Sequence, residues 1–204
     1  QNQKQLKNLN NEELIGIEVN EYSFLRKASQ VDISFAFTEK DGLELMIDYN
    51  NLQILPANKL PKGEDAPLDN LIGLYKLCNK MQTLCSKSNG VGLSAVQVGV
   101  PWNIFIARDS NNNYDYYLNC KYEGIGEKIK SIEGCLSILD EDGKFRQFEL
   151  ERFAEIKLSG NKLSFGDVSP YINLTVVKDQ SFKGYYCIVL QHEIDHASGI
   201  LVSD

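Results

Sequence analysis

The two histidines of this 204-residue chain lie four residues apart, in His192-Glu193-Ile194-Asp195-His196. Residues four apart project from one face of a helix, so both imidazoles can reach a single metal ion, with the glutamate close to it. Two histidines placed at random have this spacing in about 1% of cases. The alternative is a pair of core histidines bonded to backbone carbonyls, which is less favoured because buried polar groups without partners are destabilising. The segment therefore predicts a metal site with a glutamate close to it.

A catalytic tetrahedral site needs a third protein ligand, and no third histidine exists. A carboxylate or a cysteine could supply it, and the most suggestive cysteine is in Glu133-Gly134-Cys135-Leu136-Ser137. Taken alone, that segment could equally be a strand end with a buried thiol. A third segment, Gly90-Val91-Gly92-Leu93-Ser94-Ala95-Val96-Gln97, has two glycines that let backbone approach a ligand, and it places an amide at Gln97. By itself it could be an ordinary glycine loop that leads into a strand.

Two helices are expected to position these segments. An apolar stripe predicts an amphipathic helix from Pro67 to Ser86, with Asp69 at the favourable end of its dipole. A second helix is predicted from Phe182 to Ala197, with Gly199 as its C-terminal cap. The first stripe consists of Leu71, Leu74, Cys78, Met81 and Cys85, and the stripe expected to face the core in the second helix consists of Tyr185, Val189, His192 and His196.

Short β-like runs lie between the two helices, at residues 103–107, 114–118, 128–132, 146–158 and 171–177. Weak alternation over residues 32–55, with Lys40-Asp41-Gly42 as a turn signal, predicts a further hairpin. The expected fold class is α+β, with antiparallel strands packed around a C-terminal metal-binding helix and an N-terminal amphipathic helix.

The composition limits the possible functions. Hydrophobic residues make up 43% of the chain and charged residues 24%, which is enough apolar material for a globular core. The net charge of -7 disfavours nucleic-acid binding, and no apolar run has the length of a membrane span. Five cysteines favour free thiols over a disulfide framework, and the polar start lacks the apolar stretch of a secretory signal. We therefore expect a cytoplasmic protein of a bacterium or an infected host, with an organelle as the alternative.

Together, the three segments resemble those of peptide deformylases. That family carries Gly-x-Gly-aliphatic-Ala/Ser-Ala-x-Gln, then Glu-Gly-Cys-aliphatic-Ser, then His-Glu-x-Asp-His, in the order found here. Leu25-Arg26-Lys27 and Val98-Gly99-Val100-Pro101 resemble further parts of it. The resemblance covers roughly residues 22–204. We therefore expect a polar N-terminal arm over residues 1–21 and a single catalytic domain over residues 22–204, with an insertion at about residues 35–60.

The resemblance implies roles for individual residues. Cys135, His192 and His196 would be the metal ligands, and Glu193 would be the general acid and base. Gln97 and the backbone N–H of Leu136 would stabilise the oxyanion. Contacts to the substrate would come from Val91, Gly92, Glu133, Gly134, Tyr185, Ile188 and Val189. Core packing is an equal alternative for Val91, Tyr185, Ile188 and Val189, the candidates for a methionine pocket, and Asp195 is expected to pair with Arg152.

The implied activity is removal of the N-formyl group from the initiator methionine of nascent polypeptides, with release of formate. The implied cofactor is one divalent ion per chain, with Fe(II) favoured, Zn(II) the alternative, and Ni(II) or Co(II) able to substitute. The expected partners are N-formyl-methionyl nascent peptides, without nucleic acid or membrane. The chain ends eight residues after His196, so we expect a transient ribosome contact that does not use a C-terminal docking helix.

Some features depart from the family pattern. The family usually continues its Cys segment with Pro-Gly, whereas this chain reads Ile138-Leu139-Asp140-Glu141-Asp142-Gly143, and the stretch to Arg152 is lengthened. The chain ends soon after His196, and viral and some organellar members of the family are short in the same way. A phage origin is therefore one interpretation. Two other functions are weighed: a metallopeptidase that cuts internal peptide bonds, and a catalytically silent homologue with a structural metal whose insertion binds a partner.

Overall fold

The computed structural model describes residues 16–18, 22–24, 36–38, 44–46, 51–165 and 172–204. These residues form an α+β fold, as predicted, with an antiparallel sheet in the order β1-β2-β9-β8-β7-β6-β5 and a separate β3–β4 hairpin. The strands are β1 (Gly16–Glu18), β2 (Tyr22–Phe24), β3 (Ala36–Thr38), β4 (Glu44–Met46), β5 (Gly92–Ser94), β6 (Ile104–Arg108), β7 (Tyr114–Leu139), β8 (Phe145–Phe165) and β9 (Ile172–Lys183). The helices are α1 (Leu71–Lys87) and α2 (Tyr185–Ala197), with short 3-10 turns at Ala57–Lys59 and Ala95–Val98. Strands β5 to β9 carry the candidate site.

Helix α1 occupies the region predicted between Pro67 and Ser86 but begins at Leu71. Its N-cap is Asn70, whose Oδ1 accepts a hydrogen bond of 3.2 Å from the Gly73 N–H. A side-chain oxygen at this position satisfies one of the free N–H groups of the first turn, and both Pro67 and Asp69 precede the helix. The apolar stripe predicted for α1 is buried.

Helix α2 begins at Tyr185, three residues later than predicted, because Phe182 and Lys183 still pair with β8. Gly184 separates the strand from the helix with a φ of 79°. At the other end, Gly199 also has a φ of 79°, and its N–H donates to the His196 carbonyl at 3.0 Å. The predicted glycine cap is thus confirmed, in the left-handed conformation that glycine adopts readily.

Strand β7 joins two of the predicted short runs into one strand of 26 residues that pairs with β8. Its register shifts at three places, and bulges of this kind bend a strand locally. In the last shift, Gly134 pairs with Gln147 and Leu139 pairs with Phe145, so the four residues between Gly134 and Leu139 face only Arg146. Because of this bulge, Cys135 is not part of the regular β7–β8 ladder, and it lines the cavity described below.

The core has two parts. One lies between α1 and the β5–β6 end of the sheet and includes Leu74, Met81 and Trp102, all at most 2% exposed. The other lies between the sheet and α2 and includes Phe105 and Leu190. Packing of the strands against the C-terminal helix therefore agrees with the prediction. No helix among the described residues is both long enough and apolar enough to cross a membrane.

The segment of residues 51–66 has little regular structure but is tied to the rest of the fold by backbone hydrogen bonds. The Leu55 N–H donates to the Gln97 carbonyl at 2.7 Å, and the Gly63 N–H donates to the Ala197 carbonyl at 2.9 Å. Glu64 accepts a hydrogen bond of 2.6 Å from the Asn103 N–H. The segment therefore connects the turn that carries Gln97 with the C-terminal end of α2.

The β3–β4 hairpin pairs Ala36–Thr38 with Glu44–Met46, as the turn signal between them predicts. That signal, Lys40-Asp41-Gly42, lies outside the described residues, as does Leu25-Arg26-Lys27. Within the predicted N-terminal arm, the structure describes only strand β1, which pairs with β2. The division into an arm, a domain and an insertion stays a prediction.

Candidate metal centre

Three predicted ligands lie together between β7 and α2. The donor atoms of Cys135, His192 and His196 are all within 4.8 Å of one another. The Cys135 Sγ and the His196 Nε2 are 3.7 Å apart, and the two imidazole rings have centroids 4.8 Å apart. The two histidines come from successive turns of α2, while the bulge in β7 supplies the thiol. A cation at this position would have three protein donors.

The environment of these groups fits a divalent cation. The Nδ1 of His192 lies 2.8 Å from Glu133 Oε1, so an Nδ1–H donated to this carboxylate leaves the Nε2 lone pair for a metal. Within the described part of the chain, Glu193 Oε2 and His196 Nδ1 are buried without a hydrogen-bond partner. A carboxylate oxygen left free beside one cysteine sulfur and two imidazoles suits a site for zinc or ferrous iron that also holds water.

Glu133 is held by a second buried side chain, Arg152. The Arg152 guanidinium donates to both Glu133 oxygens, from Nε at 2.9 Å and from Nη2 at 2.8 Å, and its Nη1 donates to Asp195 Oδ2 at 2.7 Å. The expected contact between Asp195 and Arg152 is therefore present. The Glu133 carboxylate, expected to contact substrate, is instead turned toward His192 and Arg152, although Glu133 also lines the cavity described below.

These contacts shift the pKa values of the buried groups. Burial opposes charge on Glu133, but hydrogen bonds from His192 and Arg152 outweigh it and lower the pKa of Glu133 to about 2. Burial also opposes charge on His192, but hydrogen bonds to Cys135 and Glu133 raise its pKa to about 10, whereas burial lowers the pKa of His196 to about 3. These shifts describe the side chains without a cation, and a bound cation requires both imidazoles to be neutral.

Glu193 is 3% exposed and lies between the two candidate histidine ligands in the sequence of α2. Burial raises the pKa of its carboxyl to about 7, against the opposing influence of the positive His192 and Arg152. Gly92 on β5 packs directly against it, because a Cβ at residue 92 would lie 3.0 Å from Glu193 Cδ. The absence of a side chain at Gly92 therefore leaves the space that the Glu193 carboxylate occupies.

Gln97 lies in the 3-10 turn that follows β5, and it is 1% exposed. Its Oε1 accepts a hydrogen bond of 2.9 Å from the Ser94 N–H, which fixes the orientation of the amide. Its Nε2 then donates to Ser137 Oγ at 3.1 Å and faces Cys135 Sγ at 3.5 Å. The amide donor is thus held beside the candidate ligands.

A cavity of about 330 Å³ opens beside this centre. Every site residue predicted from the sequence lines it except His196, which lies behind as a buried ligand candidate. Val189 is buried and Ile188 is half-buried, but Tyr185 is 66% exposed at the mouth, so its predicted position on the core-facing side is wrong. As the first residue of α2, Tyr185 precedes the turns of the helix that pack on the sheet.

Two further apolar residues at the mouth were not identified from the sequence. Ile132 is 70% exposed and Phe145 is 45% exposed, and both line the cavity. The bulge between Gly134 and Leu139 brings Phe145 beside Gly134, where a Cβ on the glycine would lie 3.8 Å from the Phe145 Cβ. The only signal in the sequence was the lengthened stretch that replaces the Pro-Gly of the family.

A family model described as polypeptide deformylase matches residues 65–204. This chain belongs to the polypeptide deformylase family. The peptide deformylase of Campylobacter jejuni is 33% identical over 136 residues, which cover 63% of this chain and 69% of that protein. The peptide deformylase of Rhodopirellula baltica is 28% identical over 136 residues, which cover 64% of this chain and only 60% of that protein's length.

Solved structures of deformylases also resemble this fold. A probable peptide deformylase from Synechococcus phage S-SSM7 aligns with a TM-score of 0.61 at 26% identity, over 76% of this chain and 99% of the phage chain. The family resemblance drawn from the three segments is therefore confirmed, and one similar structure comes from a phage. The family match begins at Asp65, so the extension of the domain back to residue 22 stays a prediction.

Proposed function

We propose that this chain is a peptide deformylase, a metal-dependent hydrolase that removes the N-formyl group from the initiator methionine of nascent polypeptides and releases formate. The observation that carries the proposal is the buried Glu193 carboxylate, whose Oε2 has no partner among the described residues, in a cavity beside the three donors. A purely structural site would be closed by a fourth protein ligand and would need no base.

Cys135, His192 and His196 would hold one divalent ion, with Fe(II) favoured, Zn(II) the alternative, and Ni(II) or Co(II) as substitutes. When bound, the ion would polarise the attacking water and the formyl oxygen. The Nδ1–H of His192, donated to Glu133, would keep its Nε2 directed at the ion. Arg152 would in turn hold Glu133 in place.

Glu193 would act as the general acid and base. Burial favours the protonated form of this carboxyl, so its carboxylate can accept a proton from water and return it. The water oxygen would attack the formyl carbon, and the carbon–nitrogen bond would then break. The proton held on Glu193 would pass to the departing amine, so that formate and a free methionine N-terminus are the products.

Two donors would stabilise the oxyanion that develops on the formyl oxygen, the Gln97 Nε2–H and the backbone N–H of Leu136. The amide of Gln97 needs little reorientation, because the Ser94 N–H already fixes its oxygen. A donor of this kind is typically worth about 3 kcal/mol of transition-state stabilisation. The proposal therefore assigns Gln97 a role in turnover rather than in metal binding.

The substrate would lie along the cavity, with its backbone against Gly92 and Gly134 and its methionine side chain among apolar residues. We assign the methionine pocket to Val91, Tyr185, Ile188 and Val189. An apolar, adaptable side chain such as methionine suits these surroundings. Nascent formylated peptides in the cytoplasm, with a transient ribosome contact, are the proposed partners and location.

The test is formate release from formyl-Met-Ala-Ser by protein loaded anaerobically with Fe(II), in the wild type and in Glu193→Ala. We expect turnover in the wild type and its collapse in the variant, with the metal content of both unchanged. Casein cleavage without formate release would indicate a peptidase instead. A fully metallated wild type without either activity would contradict the proposal and favour a silent homologue.

A further inference from the structure

Tyr122 on β7 contacts α2, the helix that carries both histidines, at Asp195, which is not a candidate ligand. It pairs with Leu158 in the β7–β8 ladder, and its hydroxyl donates to Asp195 Oδ1 at 2.9 Å. Burial and the negative charge of Asp195 raise the pKa of Tyr122, so its hydroxyl stays protonated and acts as the donor. The sequence motifs that define the site do not include Tyr122, which lies 11 residues before Glu133.

From Asp195, the hydrogen bonds continue without a gap to a candidate ligand. Asp195 Oδ2 accepts from Arg152 at 2.7 Å, Arg152 donates to both Glu133 oxygens, and Glu133 Oε1 faces His192 Nδ1 at 2.8 Å. The Arg152, Glu133 and His192 side chains are at most 10% exposed and that of Asp195 is 14% exposed. Water therefore has little access to these side chains and cannot easily replace the hydrogen bonds between them.

The position of Arg152 depends on both ends of this series. Its planar guanidinium presents one edge to Glu133 and the remaining nitrogen to Asp195, so a rotation of the Asp195 carboxylate would displace the donors that hold Glu133. Tyr122 fixes one oxygen of Asp195 and thereby directs the other at Arg152.

We propose that Tyr122 is a positioning residue for the metal centre, acting through Asp195, Arg152 and Glu133 on the orientation of His192. The inference rests on the proposed function, because it requires His192 to be a metal ligand. It adds a residue outside the three motifs, on a different part of β7 from Glu133. Its role is in the affinity and geometry of the metal site, and Tyr122 is not among the residues that line the cavity.

The test uses Tyr122→Phe, which removes only the hydroxyl, with Zn(II) and Co(II) as probes. The dissociation constant for Zn(II) is measured by competition with a chelator, and the absorption spectrum of the Co(II) protein reports the ligand geometry. Loss of a direct outer partner of a ligand typically weakens metal binding by about 10- to 100-fold. Because Tyr122 is more remote, we expect about a threefold to tenfold weaker Zn(II) affinity and a changed Co(II) spectrum.

Tyr186→Phe is the matched control. The Tyr186 hydroxyl donates to Asp115 Oδ2 at 2.7 Å, which is also a tyrosine–aspartate hydrogen bond between α2 and β7, and the described contacts link neither residue to Arg152. Its removal should leave the Zn(II) affinity and the Co(II) spectrum unchanged. A general loosening of the packing around α2 would instead change both variants alike, and that result would overturn the proposal.

Asp195→Ala provides a second variant and completes a double-mutant cycle. We expect it to weaken Zn(II) binding on its own, and we expect Tyr122→Phe to add nothing in that background. If the wild type binds Zn(II), and the folded Tyr122→Phe variant has the same affinity and spectrum, the inference about Tyr122 is overturned. The proposed function is not affected by that result. If Tyr122→Phe does not fold, wild-type affinity in Asp195→Ala would overturn it. A wild type that binds no Zn(II) would contradict the proposed function itself.

Discussion

The buried carboxyl of Glu193, the proposed general base, is predicted to destabilise the fold near neutral pH. Its side chain is almost completely buried, and no described residue pairs with its Oε2. Burial disfavours the charged form and raises the pKa to about 7. Replacing Glu193 with glutamine keeps the size and shape of the side chain and removes the charge. We expect Glu193→Gln to be more stable than the wild type and inactive.

The magnitude follows from the difference between the pKa of about 7 in the fold and the ordinary value of 4.5. Each tenfold difference in proton affinity corresponds to about 1.36 kcal/mol, so the full effect is about 3 kcal/mol. Below pH 4.5 both folded and unfolded chains hold the proton, and the group has no effect. As the pH rises to 7, the unfolded chain releases its proton first. The free energy of unfolding of the wild type therefore falls across this window, and it changes no further above it.

The assay is urea unfolding of chelator-treated protein at pH 4.5 and pH 8, for the wild type and Glu193→Gln. We compare the free energy of unfolding of Glu193→Gln with that of the wild type at each pH. The advantage of the variant should be about 3 kcal/mol larger at pH 8 than at pH 4.5. Glu123→Gln, the same substitution at an exposed position on β7, is the matched control. With Fe(II) restored, Glu193→Gln should lose about 10²- to 10⁴-fold in turnover, the usual contribution of a general base.

Two results would refute this reasoning. If the stability difference between Glu193→Gln and the wild type is the same at both pH values, the carboxyl is hydrated in the fold and is not tuned by burial. If the variant retains turnover with its metal bound, Glu193 is not the base. The first result would revise the account of the local environment, and the second would remove the main support for the proposed chemistry.

Three further predictions concern other parts of the site. Gly92→Ala should reduce turnover about tenfold without loss of metal, because the added Cβ would displace Glu193 by a few tenths of an ångström; unchanged formate release would show that the carboxylate has room to move. Arg152→Met should lower the free energy of unfolding at pH 7 by about 3–5 kcal/mol, measured in urea, since it leaves two carboxylates without their buried partner. Phe145→Ala should raise KM about fivefold for formyl-Met peptides with a large apolar second residue, with kcat unchanged; an equal effect on formyl-Met-Ala-Ser would argue against a contact to that residue.

The sequence was most informative where the geometry of the site is local. The spacing of His192, Glu193 and His196 needs only a regular helix to bring the three side chains together, and α2 supplies it. The thiol of Cys135 is different, because its place beside the histidines depends on a bulge in a long strand pairing. The residues alone left open whether a cysteine or a carboxylate is the third ligand. The family resemblance was needed to choose Cys135.

Features that depend on pairing between distant strands could not be predicted. Two separate runs merged into β7 because bulges allow one strand to bend, and no residue pattern marks them. The same pairing places Phe145 at the mouth of the cavity and Glu133 beside Arg152, whereas the contact of Arg152 with Asp195 agrees with the prediction. Helical periodicity also placed Tyr185 wrongly on the core-facing side. Periodicity gives the face of a helix on which a residue lies, but it does not show that the first residue of α2 precedes the turns that pack on the sheet.

The backbone hydrogen bonds of residues 51–66 bear on where an independently folding unit begins. The family match starts at Asp65, yet Leu55 and Gly63 are bonded to the carbonyls of Gln97 and Ala197. A fragment cut at the family boundary would leave both carbonyls without these partners, at about 1–3 kcal/mol for each that stays buried. The residues matched by the family model therefore leave out the donors of two hydrogen bonds that tie residues 51–66 to the rest of the fold. We therefore expect a fragment of this chain that folds on its own to need this preceding segment as well.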